Sequence, residues 1–207
     1  MRQALLGLLP KASVGAEIGV SSGGFSQEIM RIVQPKSLVL IDPWDLLADQ
    51  EPESGDEGRW FNDKAGMADK HRGVIELFRD APSVSVVRGF SQERLLDYRD
   101  DHFDWVYLDA HHRYEPVYNE LKLCIRKVKV GGLITGDDFF KKHKGNAEVK
   151  QAVRDVLREH GEDRGLNVLD LDHMPDRVTD PSRIGQQFIF PVTQRMKDEA
   201  AIRNEPK

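Results

Sequence analysis

A chain of 207 residues with 39% hydrophobic content is long enough to bury the core of one domain, and two domains would be cramped. A net charge of −5, with both signs interspersed, argues against a nucleic-acid partner, since no broad positive field faces a phosphate backbone. A single cysteine, Cys124, excludes an intramolecular disulfide framework and fits a reducing cytoplasm.

The opening MRQALLGLLPK carries only a brief apolar run before Pro10, too short for a signal-peptide core or a membrane span, and no other stretch is expected to enter a membrane. Val14 to Met30, VGAEIGVSSGGFSQEIM, is the stretch that organises the chain. Val14, Ala16, Ile18 and Val20 make a short apolar strand, and Phe25, Ile29 and Val33 recur at helical spacing beyond the glycines. Gly19, Gly23 and Gly24 let backbone approach a ligand, while the first N–H groups of the helix point partial positive charge at the same space. Glu17 places a carboxylate at the strand's end. The spacing Glu17-x-Gly19-x-x-x-Gly23 differs from a dinucleotide fingerprint, because Ser21 stands where a glycine is needed. It resembles motif I of the class I S-adenosylmethionine-dependent methyltransferases, in which this turn wraps the methionine part of the cofactor. The same glycines would also serve a tight strand-to-helix turn that holds no ligand.

Ser37 to Ile41 reads as a second strand, followed at once by Asp42 and Pro43. An acid beyond the carboxyl end of a parallel strand can accept from two ribose hydroxyls, though Asp-Pro also simply forms turns. From Trp44 to Gly66 the periodicity dissolves into an acidic loop carrying Trp44, Trp60 and Phe61, which reads equally as a substrate lid or a surface insertion. A helix is expected over Met67 to Phe78, then a strand over Ser83 to Arg88. The turn Gly89-Phe90-Ser91, by its place after the third strand, should flank an adenine. Phe103 to Leu108 is an aromatic and β-branched strand ending in Asp109. The next helix holds Pro116 in its first turn and an apolar stripe of Val117, Leu121, Cys124, Ile125 and Val128. Gly131 and Gly132 then turn into a small strand, Leu133 to Thr135, that ends at Gly136-Asp137-Asp138. Lys141, Lys142, His143 and Lys144 read as a solvated loop, and Asn146 as the cap of a helix buried through Val149, Val153 and Val156 or Leu157. Leu166 to Leu171 and Gln187 to Val192 read as two last strands, and Met196 to Lys207 as a frayed helix or a disordered tail. Alternation of strand and helix followed by two strands means an α/β domain over 1–195, its parallel sheet carrying one antiparallel strand.

Asp109, Asp137 and Asp138 all fall at strand ends. Neighbouring strands lie about 4.8 Å apart, so these carboxylates can share one hard cation, magnesium being the natural choice. Capping of a turn by Asp137 and solvation of Asp138 would explain either acid alone. VYLDAHHRYEPVYNEL and GGLITGDDFF, with IDPW after the second strand and GFS after the third, resemble segments of a bacterial subgroup of small-molecule methyltransferases. The resemblance covers Val14 to Val156 and implies a Rossmann-like class I methyltransferase fold, seven strands in the order 3-2-1-4-5-7-6. It implies cofactor contacts from Glu17, Gly19, Ser21, Gly23, Asp42, Ser91 and Asp109, and a metal held by Asp109, Asp137 and Asp138. Metal-dependent catechol-type O-methyltransferases, also similar, carry Asn at the position of Asp138 and a lysine base at that of His112. His112 is therefore the candidate general base, with His111 its competitor for that role or for a place on the metal. The expected activity is O-methylation of a small molecule, with S-adenosylmethionine as cofactor and a divalent cation assisting. A metal-dependent hydrolase and a non-catalytic binding protein are the rivals. Oligomeric state stays open, a homo-oligomer included.

Overall fold

The computed structural model describes residues 2–49, 63–140, 146–162 and 187–203. Its elements in chain order are α1 (Arg2–Leu6), β1 (Val14–Ile18), α2 (Gly24–Ile32), β2 (Ser37–Asp42), α3 (Lys64–Leu77), β3 (Val84–Arg88), α4 (Ser91–Arg94), β4 (Phe103–Leu108), α5 (Tyr114–Lys127), β5 (Val128–Gly136), α6 (Glu148–Glu159), β6 (Phe188–Pro191) and α7 (Gln194–Arg203). Among the described residues the sheet has six strands in the order β3-β2-β1-β4-β5-β6. All neighbours run parallel except β6, which lies antiparallel to β5. The strand expected over 166–171 lies outside the described residues. The expected seven-strand order is thus matched in six places, and the antiparallel strand takes its expected position beside β5.

Strand periodicity sorts the core into two layers. Val39, Ile41, Val106 and Leu108 point to one face, against Val117, Leu121, Val153 and Val156 of α5 and α6. Leu38, Leu40, Trp105 and Tyr107 point to the other, against Leu5, Leu6, Ile29 and Val74 of α1, α2 and α3. A sheet covered on both faces requires strands apolar at nearly every position, which is how β2 and β4 read. The chain starts at β1, winds outward through β2 and β3, then returns to β4 on the other side of β1. The crevice between β1 and β4 is therefore the topological switch point, where ligands of such sheets bind.

Several elements depart from the sequence expectation. Trp44 is fully buried and opens a 3-10 segment, Trp44–Asp49, so it belongs to the core and not to a lid. Trp60 and Phe61 lie outside the described residues. Helix α3 starts three residues early because the Asp63 carboxylate accepts from Gly66 N at 2.9 Å, a side-chain cap hidden in the acidic stretch. Val128 ends α5 in extended conformation and begins β5 directly. Gly131, at φ +80°, sits within β5 where the register against β4 shifts, and is not a connecting turn. Asn146 precedes α6 without capping it. The helical alternative for the tail holds in α7, which starts two residues before Met196 and is anchored by that fully buried side chain. The basic run 141–144 lies outside the described residues. No helix among the described residues is long and apolar enough to cross a membrane.

Candidate functional site at the carboxyl edge of the sheet

The backbone ladder runs one residue past the strand ends, and this aligns the loops that carry the predicted residues. Gly89 N donates to Asp42 O (3.0 Å), Gly19 N to Ile41 O (2.9 Å), Asp109 N to Ile18 O (2.8 Å) and Asp137 N to Leu108 O (3.0 Å). Gly19, Asp42, Arg88, Asp109 and Asp137 therefore stand in one row, with Gly89 one residue beyond it. At Gly19 a glycine is compulsory: φ is +89°, and a Cβ would fall 2.1 Å from the Asp109 carbonyl oxygen. The first motif glycine thus lets the β1 turn and the end of β4 close together.

Asp42 is the hub of the turn. Its Oδ2 accepts from Val20 N (2.8 Å) and Ser21 N (2.9 Å), and its Oδ1 accepts from Trp44 N (2.7 Å). Trp44 Nε1 donates back to Ser21 O at 2.8 Å, and its ring stacks on His71 with centroids 4.5 Å apart. Burial raises the Asp42 pKa against the pull of the N–H groups of Ser21, Trp44 and Val20. Ser21 and Trp44 both have positive φ (53° and 43°), a conformation costly for side chains that this bonding holds in place. The predicted ribose acceptor is thus also the clamp of the glycine-rich turn, a role that its position alone did not reveal.

Glu17 is buried beneath the turn and accepts from Ser26 Oγ of α2 at 2.5 Å, which ties strand to helix behind the glycines. Ser26→Ala is expected to lower stability by about 1 to 2 kcal/mol, since it strips a buried carboxylate of a donor. Urea unfolding at pH 7 measures this, and an unchanged midpoint would refute it.

On the other side of the crevice, donor atoms of Asp109, His112 and Asp138 lie within 4.8 Å of one another. His112 Nε2 and Asp138 Oδ2 are 2.6 Å apart. Asp138 reaches this place with φ +60°, which a short polar side chain tolerates. The cluster differs from the predicted metal trio: Asp137 is buried next to it but is not of the group, and His112 takes the third place. The chain leaves the strand after Gly136 and turns at Asp138, φ +60°, so the two adjacent carboxylates are presented differently. His111 Nδ1 accepts from Arg113 N at 3.1 Å, so it shapes the loop that carries His112.

Two acids escaped the sequence reading. Glu148 of α6 accepts from Tyr114 N at 2.9 Å and from Arg113 Nη1 at 3.4 Å, capping α5 across space. Such a cap has no local signature. Glu120 lies on the apolar stripe between Val117 and Cys124, buried, with its pKa pushed up to about 7 by burial. Ser91 Oγ donates to Glu120 Oε1, so the predicted adenine-flanking serine is tied to α5. An acid interrupting an apolar stripe was the available signal for Glu120.

Residues 16–139 match the model of a family described as a methyltransferase domain. An uncharacterized protein of Acanthamoeba polyphaga mimivirus is 22% identical over 147 residues, 69% of this chain, and the match spans only 58% of that relative. The O-methyltransferase NovP superposes with TM-score 0.62 and 17% identity, covering 93% of this chain and 80% of its own. A Clostridium thermocellum protein proposed as an rRNA methylase gives TM-score 0.59 and 12% identity, with 93% of each chain covered. A Corynebacterium glutamicum protein gives 0.58 and 15%, covering 93% of this chain and 81% of its own. At these identities the superpositions speak for the fold.

Proposed function

The chain belongs to the class I S-adenosylmethionine-dependent methyltransferase family, and on that premise we propose that it methylates a hydroxyl oxygen of a small molecule with the help of a divalent cation. The observation that carries this reading is the pairing of His112 with Asp138 beside Asp109, in the crevice next to the glycine-rich turn. S-adenosylmethionine supplies a methyl group on a sulfonium, which needs no electrophilic activation. What remains for the protein is to bring an oxygen nucleophile in line with that methyl group, remove its proton and exclude water. Asp138 Oδ2 pairs with His112 Nε2 at 2.6 Å, which orients the ring that takes the substrate proton. Asp42 holds the turn that positions the cofactor, and Gly19 brings that turn against Asp109.

The donor set fits a divalent cation. Asp109 and Asp138 would hold it, with His112 close by as the base, and carboxylate oxygens suit magnesium or manganese. Such an ion, when bound, lowers the pKa of a coordinated hydroxyl. Net charge of −5 supports a small-molecule acceptor over a nucleic acid.

Transfer of labelled methyl from S-adenosylmethionine to a panel of phenols, sugars and polyketide-type alcohols tests the reading, with and without a chelator. Methylated hydroxyls whose formation stops on chelation are expected. Full activity in chelator would leave the dyad as the whole catalytic apparatus, and methylation of amines alone would overturn the oxygen assignment.

A further inference from the structure

Helix α5 spends a buried position of its inner face on an acid that packing does not require. Glu120 is 4% exposed, and its neighbours on that face, Val117, Leu121 and Cys124, are apolar. No lysine or arginine among the described residues forms an ion pair with it, and burying a carboxyl without one is costly. Its hydrogen-bond partner is the hydroxyl of Ser91, which opens α4 and is 9% exposed. Ser91 belongs to the turn beyond β3, held beside Asp42 by Gly89 N donating to Asp42 O at 3.0 Å.

A hydroxyl has one proton and two acceptor lone pairs. With that proton committed to Glu120, Ser91 Oγ can only accept from a group facing it. The reacting centre lies over Asp109 and His112 at β4, so a cofactor laid along the carboxyl edge across β1 and β2 brings its base to the β3 turn. We propose that Glu120 is a positioning residue that fixes the polarity of the Ser91 hydroxyl, so that the site takes a purine bearing a 6-amino donor and rejects its 6-oxo counterpart. This rests on the reading of the site as one for S-adenosylmethionine.

The test compares S-adenosylhomocysteine with S-inosylhomocysteine by titration calorimetry at pH 8.5, where a Glu120 pKa of about 7 leaves the acid ionised. The wild type should prefer the adenosyl compound by about 100-fold, the order expected when a polar site meets the wrong hydrogen-bonding partner. Glu120→Gln should narrow that ratio to about tenfold or less, because an amide can donate or accept and frees the hydroxyl to turn. Glu120→Leu, which suits the apolar stripe, should narrow it likewise and serves if the glutamine variant fails to fold; Ser91→Ala should do the same. A wild type that binds both compounds equally overturns the proposal, as do folded Glu120 variants that keep the wild-type ratio, and both results leave the cofactor reading standing. A folded wild type that binds neither compound overturns the proposal and the cofactor reading together.

Discussion

Replacement of His112 by alanine is expected to lower methyl transfer by about 10²- to 10⁴-fold while S-adenosylhomocysteine binding stays nearly unchanged. The expectation follows from position: His112 stands on the loop after β4, and its Nε2 is 2.6 Å from Asp138 Oδ2. Removing the ring removes the group that takes the substrate proton but leaves the glycine-rich turn intact. Asp138→Ala should also be impaired, because a base without its orienting carboxylate loses its preferred tautomer and direction. Asp138→Asn should retain more activity than Asp138→Ala, since the amide oxygen still accepts from the imidazole N–H. His111→Ala should cost less than His112→Ala, because His111 Nδ1 is engaged by Arg113 N within the loop. Steady-state rates with one methylated acceptor measure all four variants. A large loss in His111→Ala with none in His112→Ala would show that the other histidine is the base.

Asp42→Ala is expected to weaken S-adenosylhomocysteine binding by about 3 kcal/mol, a factor of more than 100, and to destabilise the ligand-free protein by at least about 2 kcal/mol. The two effects have one cause. The carboxylate satisfies the N–H groups of Val20, Ser21 and Trp44, and alanine would leave these donors without it in a largely buried place. Ser21 and Trp44 would then have nothing to hold their positive φ. If Asp42 served only to hold a ribose, affinity would fall but ligand-free stability would not. Thermal unfolding without ligand separates the cases, and an unchanged Tm would refute the clamp.

The parts of this architecture legible in the sequence were those set by local pattern. Strand lengths and apolar patterns placed β1 to β4 to within a residue or two, because β1, β2 and β4, buried on both faces, leave a continuous apolar signal and the edge strand β3 an alternating one. Acids at strand ends pointed to the carboxyl edge, and Asp109, His112 and Asp138 do meet there. Partnership across space was not legible. That Asp42 would bind the turn's own backbone, that Glu148 would cap α5, and that Asp137 would stand apart from Asp138 all depend on how loops fold over the sheet. Trp44 was misread for a related reason: it stands at the start of an acidic, aperiodic stretch, yet its indole is held by Ser21 O and His71. The 3-10 turn that buries it leaves no periodic signal. Gly131 misled for another reason, since a glycine with positive φ marks a bulge as readily as a turn.

Titration calorimetry of the purified chain with S-adenosylhomocysteine, and separately with NAD, addresses the cofactor directly. The glycine spacing, the Asp42 clamp and the family match predict saturable 1:1 binding of S-adenosylhomocysteine, with Kd of about 1 to 100 μM, and no heat with NAD. Binding of NAD without binding of S-adenosylhomocysteine would contradict the account at its root.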